Sequence, residues 1–248
     1  MNDSSDRRSL REHLPLPPRQ EQDFRWRGTG VSRLEGLTDG VFAFAVTLLV
    51  IALEVPRTFD GLLDVMRGFP AFVICFALLM MFWNAHFRYH RRYGLEDTFT
   101  RVITMAILVL VLFFVYPLKF LFTLVTFNLF GLAADAPKLA GHGEVQLLYL
   151  IYGLGFAGIW SLYALLYAHA LRKRAELQLD EVELIYTRSA LGANLVYVAV
   201  CALSITLAYA TSSDSWPGLI YWLIGPLQAL NGWWFGRKVR VTPPAQAS

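Results

Sequence analysis

Arg33, Asp39, Thr47 and Glu54 stand out because they bracket or interrupt an otherwise apolar run, Gly36 to Val55. A charge inside such a run is costly to keep from water, which makes each one a functional candidate by default. At the three-and-four spacing of a helix, Gly40, Phe44, Thr47, Ile51 and Glu54 share one stripe. The stripe is mostly apolar, with a hydroxyl at its middle and a carboxylate at its far end. Repeated around a symmetry axis, it would line a narrow pore with an apolar constriction at Phe44, a layer of threonine oxygens at Thr47 and an acidic mouth at Glu54. Periodicity alone is satisfied more simply by a packing seam in which Thr47 bonds its own backbone.

Other constellations carry less chemistry. His86 and His90 have the spacing of a helical metal pair, but they sit among Arg88, Arg91 and Arg92 without an H-E-x-x-H frame. A cationic belt at a membrane surface is the expected role, and no metal or cofactor is expected. Gly153, Ala157 and Ser161 recur every four residues, as at a close helix contact. Glu176, Asp180, Glu181 and Glu183 read as a solvated face of a basic loop, and Cys75 and Cys201 as packing residues in apolar surroundings. Nucleophile, base and orienting group never occur together, so the chain is not expected to be an enzyme.

The elements that must position these residues are membrane helices. Hydrophobic residues make up 56% of the 248, charged residues only 17%, and mean hydropathy is +0.44, so lipid is the expected solvent. A hydrocarbon core of about 30 Å takes roughly 20 apolar residues per helix. Six stretches satisfy this: Gly36 to Val55, Phe69 to Phe87, Val102 to about Phe130, Val145 to Leu171, Ser189 to Ala210 and Trp216 to Phe235. Pro117 predicts a kink or an interfacial tail in the third. Trp216, Tyr221, Trp222, Trp233 and Trp234 mark the two ends of the sixth as an aromatic belt.

Of the lysines and arginines, eighteen fall in the N-terminal segment, the second and fourth connections and the tail, against four on the other side. The positive-inside rule then places both termini in the cytoplasm. Residues 1–30 are polar and proline-containing and read as a flexible arm, residues 31–238 as the membrane domain and 239–248 as a short tail. A net charge of +3 follows from orientation and calls for no nucleic acid.

The first span also carries a resemblance. Arg33, Asp39-Gly40-Val41-Phe42-Ala43, Ala45, Thr47-Leu48-Leu49-Val50 and Val55-Pro56 fall in register with the signature of the endosomal and lysosomal potassium channel family, the transmembrane protein 175 family, in its prokaryotic single-repeat branch. Trp83, His86, Asp97 and Pro117 extend the match, which covers the first half of the chain closely. The resemblance implies an all-α, six-helix protein of the cell inner membrane whose first helices line a central pore in a homotetramer. It implies a leak-type channel preferring potassium and lacking the usual TVGYG filter. By position, Phe44 stands at the constriction, where the family usually has Ile or Leu, and Thr47 at the layer linked to selectivity. Gly40, Ile51 and Glu54 would also line the path, and Arg33, Thr38, Asp39, Trp83 and His86 would form a polar network bracing the cytoplasmic end. Expected partners are a second, third and fourth copy of the chain, membrane lipid and potassium ions. Rival readings are a proton-coupled secondary transporter, with Asp39, Glu54 and His86 titrating, and a non-conducting scaffold sealed at Phe44.

Overall fold

The structure, a computed structural model, describes residues 24–28, 30–51, 55–131, 139 and 141–241, and the regular elements among them are all helical. Helix α1 (Arg33–Ile51) is followed by a short α2 (Phe59–Arg67), then by α3 (Phe69–Tyr93), α4 (Thr98–Phe130), α5 (His142–Arg172) and α6 (Glu181–Ala210). A final segment comprises α7 (Trp216–Leu219), a 3-10 turn (Ile220–Leu223) and α8 (Ile224–Val241). Five helices, α1 and α3 to α6, are long and apolar enough to cross a bilayer.

Of the six expected spans, the sixth is not a single helix. Pro226 has no N–H to give the carbonyl of Trp222, and its ring crowds that carbonyl, so the preceding turn closes with tighter bonds. Pro117 has no such effect, because α4 runs through it to Phe130 without interruption. The hydroxyl of Tyr152 on α5 donates to the Pro117 carbonyl. At 33 residues α4 is about 50 Å long, well beyond one straight crossing.

Helix α2 has no counterpart in a hydropathy reading. Thr58 caps it, its Oγ1 accepting from the Gly61 amide at 3.1 Å. Phe59, Leu62, Leu63 and Met66 are exposed and Asp60, Asp64 and Arg67 lie on the other side, the pattern of a helix resting in a membrane interface.

The core is built from faces of α1, α3, α4 and α5: Phe42, Ala45 and Leu49 meet Cys75, Leu79, Phe82, Ile107, Val111, Ile159 and Tyr163. Tyr163 satisfies its buried hydroxyl by donating to the Phe82 carbonyl at 2.7 Å. Glycines let α5 approach its neighbours closely. A Cβ on Gly153 would come within 2.6 Å of Ile205, and one on Gly155 within 1.8 Å of the Phe114 ring.

The N-terminal ends of α1, α4 and α6 and the C-terminal ends of α3 and α5 gather at one end of the bundle. Residues 24–28, inside the expected flexible arm, are docked there. Phe24 is fully buried, edge-on to Tyr93 at 5.6 Å between centroids, and the Arg27 and Gly28 amides donate to the Arg91 carbonyl at 3.1 Å. Residues 1–23 and 242–248 lie outside the described residues. The seat is shaped by Gly94, which ends α3 with φ +57° while its Cα faces the Arg27 carbonyl. A Cβ there would adopt a left-handed conformation and stand 3.0 Å from that oxygen. Gly94→Ala is therefore expected to cost about 1–2 kcal/mol from the backbone alone, read as a lower melting temperature; an unchanged melting temperature would show that the seat is not tight.

Candidate functional site: an exposed helix face and its polar brace

Helix α1 begins with a capping box. The Ser32 hydroxyl accepts from the Glu35 amide at 3.1 Å, and the Glu35 carboxylate accepts from the Ser32 amide at 2.9 Å. From this start one face of α1 turns inward, placing Leu34, Thr38, Phe42, Ala45 and Leu49 in the core. The opposite face carries Gly40, Phe44, Thr47 and Ile51, all exposed in the subunit. Two phenylalanines two positions apart show the division: Phe42 is 1% exposed and Phe44 55%. Ile51 reaches 67%. Glu54, the expected acidic mouth, lies outside the described residues.

Thr47 donates its hydroxyl proton to the Ala43 carbonyl at 2.9 Å. This is the backbone bond of the packing-seam reading, yet the side chain is exposed rather than packed. With its proton engaged, the hydroxyl presents lone pairs outward, the part that can replace water around a cation. Gly36 and Gly40 lie on this face as well, and a Cβ on either would meet nothing within 4 Å.

At the base of the helix, four of the five residues expected in the polar network come together in two pairs. Trp83 Nε1 donates to Asp39 Oδ1 at 2.7 Å. Thr38 Oγ1 donates to the Leu34 carbonyl at 2.9 Å and lies 3.5 Å from His86 Nε2. Arg33 is exposed and joins neither pair. Arg91 supplies the cation instead, its Nε 3.7 Å from Glu35 while its Nη1 donates to the Gly28 carbonyl at 3.2 Å.

Two expectations are corrected at this end. His86 and His90 do not form a surface belt: both are buried, their rings 4.2 Å apart between centroids. The reason is that α3 continues six residues past Phe87 and its last turns, with Tyr89 and Tyr93, enter the core. Nor is Glu183 solvated. It is 1% exposed and accepts from Arg27 Nη2 at 2.5 Å, from Arg27 Nη1 at 3.0 Å and from the amides of Arg25 at 2.9 Å and Asp180 at 3.2 Å. Asp180 caps α6, which Glu183 completes as a capping box.

Asp97 ties α4 to α5 nearby. Its Oδ1 accepts from the Thr100 amide at 2.8 Å, and its Oδ2 lies 2.6 Å from His169 Nε2 and 3.0 Å from Lys173 Nζ. Burial pushes this carboxyl up, but the Thr100 amide, His169 and Lys173 outweigh it and hold Asp97 well below the usual carboxylate range. A depressed pKa means that the stabilisation is present above about pH 4 and is lost as pH falls toward the folded value. Among the described residues, no three His, Cys, Asp or Glu side chains converge as a metal site would require.

Fold and site together define a multi-pass helical membrane protein whose first helix turns an apolar, hydroxyl-bearing face away from its own bundle. Residues 33–117 match the family model described as endosomal/lysosomal potassium channel TMEM175. A potassium channel of Marivirga tractuosa is 33% identical over 232 residues, 88% of this chain and 93% of that one. A potassium channel of Chamaesiphon minutus is 36% identical over 64 residues, 23% of this chain and 32% of that one. The crystal structure of a threonine-to-alanine variant of the potassium channel MtTMEM175, bound to a nanobody fusion, superposes with a TM-score of 0.76 at 31% identity, covering 90% of this chain and 100% of that one. The chain belongs to the TMEM175 family, a family of potassium channels and not of enzymes.

Proposed function

We propose that the chain assembles as a homotetramer in the cell inner membrane and conducts potassium as a leak channel, with the exposed face of α1 lining a central pore. The observation that carries this reading is the division of α1. One face is buried in the subunit core, while Gly40, Phe44, Thr47 and Ile51 are left exposed on the helix that bears the family signature. One subunit offers a single such face and cannot enclose an ion path, so the path requires copies around an axis. Phe44 forms the constriction and Thr47 the layer of oxygens that discriminates among ions. The ions pass from the cytoplasmic end, where the Asp39–Trp83 and Thr38–His86 pairs hold α1 against α3. Both termini are cytoplasmic in this reading, which the excess of lysine and arginine on their side supports.

The assembly is tested by cross-linking. Cys75 and Cys201 are buried, so a cysteine introduced at Ile51 is the reactive one. In native-like lipid, Ile51→Cys is expected to oxidise to a disulfide-linked dimer, since one cysteine per subunit joins only two chains, while amine cross-linking of the same protein ends at four subunits. Absence of the disulfide, or amine cross-links ending at two subunits, would mean that these faces do not meet around a four-fold axis.

A further inference from the structure

At the end of the bundle opposite the polar brace, a half-open cavity of about 1360 Å³ lies between the distal half of α4, the start of α5 and the segment from Asp214 to Ile224. It includes no residue of α1, so it is separate from the proposed pore face. Its volume exceeds the roughly 300–1,000 Å³ of ordinary small-molecule pockets. Its polarity is graded along its length. Toward the middle of the bundle the lining is Leu78, Phe114 and Phe156, and at the end where α5 begins it is His142, Asp214 and Ser215, which we take as the mouth. His142 Nδ1 is hydrogen-bonded to Asp214 Oδ1, and the Tyr149 hydroxyl donates to the Asp214 carbonyl at 3.0 Å. From His142 to Phe156 on α5 the cavity runs about 21 Å at helical rise. One leaflet with its headgroups is also roughly 20–22 Å deep, half of a bilayer of about 40–45 Å.

From this we infer that the cavity is a binding site for one glycerophospholipid of the leaflet opposite the termini, acyl chains inward and headgroup at His142 and Asp214. Apolar walls select chains rather than a soluble metabolite, and the polar residues His142, Asp214 and Ser215 fix the end at which the head lies. Both ring nitrogens of His142 are engaged, Nδ1 by Asp214 and Nε2 by Gln146 at 3.1 Å, so the exposed Asp214 carboxylate is the group presented to the head, and it is complementary to an ammonium. Phosphatidylethanolamine, whose ammonium also donates hydrogen bonds, therefore fits better than phosphatidylglycerol, which has no cation for Asp214.

The test is native mass spectrometry of the full-length protein extracted from vesicles of equal phosphatidylethanolamine and phosphatidylglycerol. Wild type is expected to retain one phospholipid per subunit, predominantly phosphatidylethanolamine. Leu121→Trp and Val125→Trp, which fill the cavity from α4, are expected to lower retention at least fivefold in material eluting at the wild-type size. Leu203→Trp, on an exposed position of α6 away from the cavity, is expected to leave it unchanged. Asp214→Asn is expected to reduce the preference for phosphatidylethanolamine. Loss of retained lipid from wild type, equal retention in all the tryptophan variants, or equal retention of the two lipids by wild type would overturn the assignment.

Discussion

Phe44→Ala is expected to raise potassium flux through the reconstituted protein by about tenfold, the effect of lowering a barrier by about 1.4 kcal/mol. In the proposed pore, rings of phenylalanine would offer a permeating ion only dispersion and a weak cation–π face, and a narrow apolar constriction resists wetting. Truncation widens and wets it. Stability should change little, because Phe44 is more than half exposed in the subunit and its removal opens no hole in the core. Phe42 is the internal control, since Phe42→Ala empties a buried site and should cost about 3–5 kcal/mol. Thr47→Val has a separate signature. It removes the oxygen that faces outward while keeping the shape, so preference for potassium over sodium should fall with assembly intact. Flux and melting temperature measured on the same preparations decide the matter: lost stability with unchanged flux in both the Phe44 and Thr47 variants would mean that this face packs against something and lines no pore.

Arg27→Ala should be among the most destabilising substitutions in the chain. It leaves the carboxylate of Glu183 buried with only backbone amides from Arg25 and Asp180. Removing one partner of a buried ion pair typically costs about 3–5 kcal/mol. It also releases the strap of residues 24–28, since Arg27 Nε donates to the Leu177 carbonyl at 2.8 Å. Because that strap leads into α1 within a few residues, its release should loosen the base of the helix. The check is thermal unfolding of Arg27→Ala, Glu183→Gln and the double variant. Each single substitution should lower the melting temperature by several degrees, and the double should cost much less than the sum, because removing both partners leaves no unpaired charge. Strictly additive losses, or none, would show that the pair does not hold the strap.

The membrane helices were legible because lipid imposes a length and a composition that any reader of the chain can measure. The α1 stripe was legible for a related reason: a helix that must satisfy both a core and a second surface repeats on two faces, and Phe42 and Phe44 fall on different ones. What escaped sequence reading depended on distance along the chain. Arg27 and Glu183 are 156 residues apart, and nothing local distinguishes Glu183 from the solvated acids around it except the D-x-x-E capping box opened by Asp180. The S-x-x-E box at Ser32 and Glu35 was visible in principle and marks the start of α1. His86 and His90 looked like surface residues because arginines surround them, yet Arg91 and Arg92 are themselves drawn in, to Glu35 and over the Phe24 ring. The break in the last segment is a matter of degree: Pro226 and Pro117 are the same residue type in similar apolar runs, and only the first coincides with a 3-10 turn.

The most direct measurement is potassium flux in liposomes containing the purified wild-type protein under a potassium gradient, with sodium as the matched control. The expected result is a potassium-driven flux above that of empty vesicles, larger than the sodium flux. Tetrameric protein that passes neither ion would contradict it and leave a sealed membrane scaffold in its place.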